Sequence, residues 1–276
     1  MRWLYAPAPL ARVAVLRVVV LLFVPVDVLL TTTWVRGHAQ VPGELYVPLR
    51  LGRLLPLPTP GPWVEVLQVV LIAAALLAAL LAARDRLPRL AGWVVAGLYL
   101  EWMVVAMSYG KVDHDRFAFL VALFVLPSVG RAGLRSRERS EAAGWALSMI
   151  AVAVVATYVL AAVAKLRFGG LDWVDGATLT RAVLRRSTPL SEPLLDLPAV
   201  LTAAQYGIMA MELLVAPLLL VRWRDERRTW ALAIGFLGFH LVTFAMITII
   251  FLPHCVALLA LLPLERLVRT PEPVPV

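Results

Sequence analysis

The sequence predicts an all-α fold: a polytopic helical membrane bundle with about 7–8 transmembrane helices and a cytoplasmic N-terminus. Three observations carry that expectation. Hydrophobic residues fill 61% of the 276 positions and charged residues only 16%, against roughly 45–50% and 25% in soluble domains. The excess is gathered into runs of about 20 residues, the length that crosses a hydrocarbon core of roughly 30 Å. The 24 arginines stand in short clusters between those runs, the pattern by which basic residues fix cytoplasmic loops.

Span 1 covers residues 13–33. It follows Arg2, but it lacks a small-x-small cleavage site and is interrupted by Pro25 and Asp27, so it reads as a retained span rather than a removed signal peptide. Residues 34–62 carry Pro56, Pro58, Pro60 and Pro62, which deny a continuous helix and leave a loop at the membrane surface. Spans 2 (63–83), 3 (91–108), 4 (115–129) and 5 (142–166) follow as apolar runs separated by charged turns. A second long loop takes residues 167–198, before span 6 (199–221) and span 7 (229–252). Residues 254–264 form a short apolar piece that either recrosses the membrane or lies on its surface. Residues 1–265 are thus expected to be a single transmembrane domain and 266–276, rich in proline, a disordered tail.

With the N-terminus inside, the clusters Arg84/Arg86/Arg89, Arg131/Arg135/Arg137/Arg139 and Arg222/Arg224/Arg227/Arg228 are all cytoplasmic. The loop around Lys111 and the end of span 5 then lie on the outer side. The bias toward Arg over Lys, and toward Ala, Leu and Val, fits GC-rich bacterial coding, so the expected location is a bacterial cytoplasmic (inner) membrane with the site toward its outer side. The net charge of +8 builds no basic face with interleaved aromatics, which excludes nucleic acid as a partner and leaves the lipid bilayer. Cys255 is the sole cysteine, excluding an internal disulfide, a CxxC pair and a cysteine metal site.

Several ionisable residues fall at membrane depth, among them Asp27, Glu101, Lys165, Glu212 and His240. Each costs roughly 2.5–3.5 kcal/mol at a helix centre and so needs a partner or a purpose. Helical spacing puts Gln205 and Glu212 on one face of span 6, and Tyr158, Ala161, Ala162 and Lys165 on one face of span 5, where the alanines admit a neighbouring helix. Lys165 is one of two lysines, and every other helix-end anchor is arginine. It is either an interfacial anchor or a base, since a desolvated lysine can lose its proton and arginine cannot. His240 is either a helix–helix hydrogen-bonding group or a site residue, and Glu212 a partner for it or for Arg17. Asp27 satisfies backbone freed at Pro25. His114, between Asp113 and Asp115, has its ring oriented and its charged form favoured. No HxxxH or HExxH spacing occurs, so no metal is predicted.

The pieces Asp-His-Asp-Arg-Phe (113–117), Ala-Ala-Val-Ala-Lys-Leu (161–166), Asp-Trp-Val-Asp-Gly (172–176) and Gly-Phe-His (238–240) share their order and spacing with a known family. Over residues 10–265 the chain resembles the transmembrane domain of vitamin K-dependent gamma-carboxylase and its bacterial horizontally transferred transmembrane (HTTM) relatives. The resemblance implies a helical bundle that uses menaquinol or vitamin K hydroquinone. It implies Lys165 as the base that deprotonates the quinol, with His114 and His240 as catalytic residues lining the quinone site. Asp113, Tyr158, Trp173 and Glu212 complete the candidate site as cofactor-binding residues. The expected activity is quinol oxidation, epoxidation or carboxylase-like chemistry. The alternative is a non-enzymatic membrane component, or a quinone-binding partner of a redox enzyme akin to DoxX-like bundles. Where the animal enzymes carry a second lysine this chain has Ala164, and Asp113 replaces their asparagine. No stretch here is large enough for an extramembrane domain, so a peptide substrate would need an unidentified protein subunit.

Overall fold

The computed structural model describes residues 2–54, 58–110, 112–218 and 226–268. Lys111, the loop residues Arg222 and Arg224, and the tail from Thr270 lie outside the described residues. The fold is an all-α polytopic membrane bundle. Among the described residues six helical segments are long and apolar enough to cross a membrane: Leu10–Thr31, Trp63–Ala83, Arg89–Met107, Glu141–Gly169, Pro198–Val215 and Arg227–Ile247. The chain divides into two compact units, one of Met1–Ile150 with Pro263–Val276, the other of Ala151–Leu262.

In the first unit, α1 (Leu10–Val26) runs on through a π-helical turn at Asp27–Thr31. It packs against α3 (Trp63–Ala83), which packs on α4 (Arg89–Met107), which in turn packs on α5 (Phe117–Val125). The long loop between α1 and α3 is not bare coil: it holds 3-10 turns at Thr33–Gln40 and Gly43–Leu45 and the short α2, Arg50–Leu54. Both faces of α3 are apolar. Val64, Leu71 and Ala75 are buried while Val66, Val69 and Leu77 are exposed, as expected where lipid rather than water covers the outer face.

Residues 115–129 do not form the full span expected of them. α5 has nine residues and gives way to a 3-10 turn at Leu126–Val129. Pro127 supplies no N–H to continue the helix. The carbonyls left over accept from Arg17 on α1, whose Nη2 donates to Leu126 O at 2.8 Å and Nη1 to Gly130 O at 2.9 Å. Arg17 is therefore a buried cap for a broken helix and not the partner of Glu212. The last described turn, Leu264–Leu267, is tied to α1 by a two-point ion pair. Arg12 Nε donates to Glu265 Oε2 at 2.8 Å and Nη2 to Oε1 at 2.9 Å.

The second unit holds the C-terminal part of α6 (Glu141–Gly169), two short helices α7 (Asp172–Asp175) and α8 (Thr178–Arg186), and α9 (Pro198–Ala210). α9 continues into a second π-helical turn, Met211–Val215. The unit then takes α10 (Glu226–Ile247) and α11 (Leu252–Leu258). α7 and α8 pack against α9, and α8 and α11 against α10. The Gly-Gly exit from α6 works through Gly170, whose φ of +61° is a left-handed conformation glycine adopts without penalty. Its N–H donates to Leu166 O at 3.0 Å.

Candidate functional site

The face of α6 expected to carry Tyr158, Ala162 and Lys165 is buried along Tyr158 and Ala162 and opens at Lys165. Ala162 sits with Val174 and Met209 in a small apolar cluster, against which Leu166, Trp173 and Leu213 pack. Alanine at 162 lets α7 and α9 approach this face closely.

Above that cluster Lys165 Nζ lies 2.5 Å from Glu212 Oε1. It also stands 4.6 Å over the centroid of the Trp173 ring, within cation–π range. Glu212 occupies the π-helical turn after α9. π-Turns are rare and cluster at functional positions. Its side chain is only 7% exposed, against 23% for Lys165, and its Oε2 is buried without a hydrogen-bond partner.

One turn-pair toward the start of α6, Tyr158 OH lies 2.7 Å from His240 Nε2. Where the hydroxyl donates, the imidazole proton sits on Nδ1, a buried atom that has no partner. His254 stands edge-on to Tyr158, ring centroids 4.7 Å apart, and Phe251 lies 5.0 Å from the His240 ring. His240 also forms the polar part of the wall of a cavity of about 270 Å³, otherwise lined by apolar or thiol side chains such as Leu237, Phe244, Phe251 and Cys255. This volume is near the roughly 300 Å³ lower end of ligand pockets. Leu241 and Phe244, both in its wall, are exposed on α10, so the cavity opens on an apolar surface.

The Asp-Trp-Val-Asp-Gly segment is held in place by Gln205, a residue the sequence placed only on the Glu212 face. Gln205 Nε2 donates to Val174 O at 2.5 Å and to Gly176 O at 2.9 Å, and Oε1 accepts from Leu179 N at 2.6 Å. Trp173 O accepts from Thr178 Oγ1 at 2.9 Å, and Tyr206 OH donates to Asp175. These bonds fix the backbone that presents Trp173 to Lys165. The i, i+7 spacing of Gln205 and Glu212 was the available signal for this role.

Asp113 and His114 belong to the first unit, in a different constellation. There the carboxylate of Asp27, fully buried, accepts from Tyr99 OH at 2.8 Å, from Arg116 Nη2 at 3.2 Å and from Thr31 Oγ1. The Asp27 carbonyl takes Thr32 Oγ1 at 2.9 Å, and Thr32 in turn accepts from Trp102 Nε1 at 3.0 Å. Asp27 thus does more than satisfy backbone near Pro25: it is the hub of a buried network. Arg116 also pairs with Asp115 at 3.2 Å and Asp113 at 3.5 Å. The side chains of Asp113, Asp115 and Arg116 are buried, whereas that of His114 is exposed.

Burial, opposed by Arg116 and reinforced by Asp113 and Asp27, pushes the Asp115 carboxyl up to about 6. The unfolded value is about 3.9, so between about pH 4 and 6 the native state binds more protons than the unfolded chain, and Asp115 subtracts stability as pH rises through that window. Asp115→Asn is therefore expected to unfold later than wild type by about 1–2 kcal/mol at pH ~8, the gain shrinking toward zero at pH ~4. Thermal melts in detergent at the two pH values check this, and an equal difference at both refutes it.

The profile of the HTTM domain matches residues 118–265, more than half of the chain. The matched stretch contains Tyr158, Lys165, Trp173, Glu212 and His240, and Asp113 and His114 lie just before it. No curated protein and no solved structure matches the chain. With its apolar helices and this match, the chain belongs to the HTTM family, whose domain is the membrane domain of vitamin K-dependent gamma-carboxylase-like proteins.

Proposed function

We propose that the second unit binds a reduced quinone of the menaquinol or vitamin K hydroquinone type and that the Lys165–Glu212 pair supplies the base that activates it. One observation carries this reading. A single face of α6 bears both an ion pair with an unsatisfied carboxylate oxygen and a tyrosine–imidazole pair at the wall of an apolar cavity. The donor set suits such a ring: an apolar cavity takes its hydrocarbon body, and the two buried atoms without partners, His240 Nδ1 and Glu212 Oε2, take its oxygen functions. When bound, a quinol supplies ionisable hydroxyls and two reducing electrons. His240, backed by Tyr158, orients one oxygen. Lys165, held by Glu212 and Trp173, places a positive charge where negative charge develops during deprotonation. The surrounding apolar side chains keep water out. The reaction is then quinol oxidation or carboxylase-like chemistry on the outer side of a bacterial cytoplasmic membrane, with any peptide substrate brought by a further subunit. His114, from the first unit, has no role in this reading beyond the one implied by its motif.

Mass spectrometry of lipids carried through purification in mild detergent tests the proposal. Wild type is expected to retain a menaquinone, and Lys165→Ala and His240→Leu each to lose about tenfold or more of it, the effect of removing one charged or buried hydrogen-bonding partner. Equal retention by the wild type and both folded variants would overturn it. Retention without turnover of menaquinol by the chain alone would favour a quinone-binding partner of a separate redox enzyme.

A further inference from the structure

At one end of the first unit the turn between α3 and α4 meets the turn between α5 and α6. Residues 84–89 and 130–137 together carry six arginines, at 84, 86, 89, 131, 135 and 137, and one acid, Asp85. We propose that this end binds one anionic diacyl phospholipid, its phosphate among the arginines and an acyl chain along α4. All six arginines are exposed. Among the described residues none of Arg84, Arg86, Arg89, Arg131 and Arg135 is ion-paired with an acid. The two turns are fastened to each other. Asp85 has a φ of +54°, a left-handed conformation that a non-glycine residue holds only where its surroundings fix it. Its Oδ1 accepts from Ala132 N at 2.9 Å, so the one acid present is engaged by backbone. Arg89 lies across Gly130, its Nη2 3.0 Å from where a Cβ on that residue would stand, and Gly130 has a φ of +79°. The fold thus gathers these arginines and leaves their charge to an external anion.

Depth and the neighbouring surface identify the anion as a lipid headgroup. Arg84 follows the last residue of the Trp63–Ala83 span, and Arg89 is the first residue of the Arg89–Met107 span, so both stand at the headgroup level. α4 starts there with no capping side chain and no acid in its first turn, so its free N–H groups and positive dipole end add to the field. One turn further in, Trp93 Nε1 donates to Phe124 O at 3.1 Å, a tryptophan at the depth where such rings settle. Leu90, Trp93 and Val94 share a face of α4 and are 70%, 42% and 47% exposed. Phe124 of α5 is 39% exposed. A phosphodiester held by guanidiniums lays its chain on this apolar strip. A free phosphate leaves the strip uncovered, and phosphatidylcholine brings a cation of its own into the arginine cluster.

Tryptophan quenching by brominated-chain lipids tests the site on the full chain in phosphatidylcholine vesicles. Brominated phosphatidylglycerol is expected to quench at about tenfold lower mole fraction than brominated phosphatidylcholine. Trp93→Phe removes that excess quenching and keeps the part common to both lipids. The Arg89→Gln/Arg131→Gln double variant loses the preference by about tenfold or more, and its unchanged quenching by brominated phosphatidylcholine shows that it is folded and inserted. Arg227→Gln, which removes a charge at the start of a span in the other unit, keeps the preference. Inorganic phosphate, compared with chloride at equal ionic strength, leaves it in place. Equal quenching by the two lipids overturns the proposal, as does a preference that survives the double variant or Trp93→Phe. A preference that falls as far in Arg227→Gln identifies diffuse charge instead of a site, and displacement by phosphate identifies a free-anion site; either result overturns the lipid assignment.

Discussion

Replacing Arg116 by methionine is expected to cost about 3–5 kcal/mol of stability, the largest effect of any single substitution in the first unit. The reason lies in the charge arrangement. One guanidinium serves three carboxylates, Asp27, Asp113 and Asp115, at 3.2, 3.5 and 3.2 Å. Asp27 is fully buried and lies within the first membrane segment. Methionine fills comparable volume but removes the cation that the buried Asp27 and Asp115 share. Desolvated charge without a partner is among the most expensive defects a fold can carry. Tyr99 OH would still bond Asp27 at 2.8 Å, but a neutral hydroxyl does not offset the charge. Thermal unfolding in detergent, followed by tryptophan emission, measures the loss. Asp27→Asn in the Arg116→Met background should recover part of it, because the amide keeps the Tyr99 and Thr31 contacts and removes the buried charge. A melting profile within error of wild type for Arg116→Met would refute the hub role of this arginine.

Gln205→Leu is expected to cost about 2–4 kcal/mol and also to disable the candidate site, because it strands two backbone carbonyls and one backbone N–H. The amide's three bonds, to Val174 O, Gly176 O and Leu179 N, are all between 2.5 and 2.9 Å. Leucine keeps the shape on α9 and supplies none of them. α7 has four residues and cannot hold itself, since a helix this short does not sustain its own nucleation. Once released, it no longer presents Trp173 to Lys165. The expected readout is twofold: faster protease cleavage within residues 171–178, and about tenfold weaker menadiol binding with Lys165 and Glu212 unaltered. Cleavage and binding both at wild-type levels would show that the segment holds its place without Gln205. Stability loss with full binding would confine Gln205 to a structural role.

Much of this protein was legible from patterning alone. Runs of about 20 apolar residues have few structural options in a membrane, because every backbone polar group must be satisfied within the segment. Hence α3, α4 and the long α6 fall close to the spans expected from their sequence. The helical repeat also placed Tyr158, Ala162 and Lys165 on one face of α6, as its geometry requires. The motif order also points to the HTTM family, since residues 161–166 and 172–176 carry a recognisable combination.

Partnerships were decided only by tertiary structure. Spacing left Glu212 with His240 or Arg17 as its partner; the fold gives it Lys165, gives His240 to Tyr158, and uses Arg17 to cap the carbonyls of Leu126 and Gly130 on either side of the turn at Pro127. The π-helical turns that carry Asp27 and Glu212 have no marker in the sequence, because the extra residue per turn is imposed by what each acid must reach across the bundle. The same holds for the division of the candidate residues, with Asp113 and His114 in one compact unit and Lys165, Glu212, Trp173, Tyr158 and His240 in the other. Hydrophobic period is a property of one helix and is written in its own residues. An ion pair between helices is a property of two, and its geometry exists only once both have been packed.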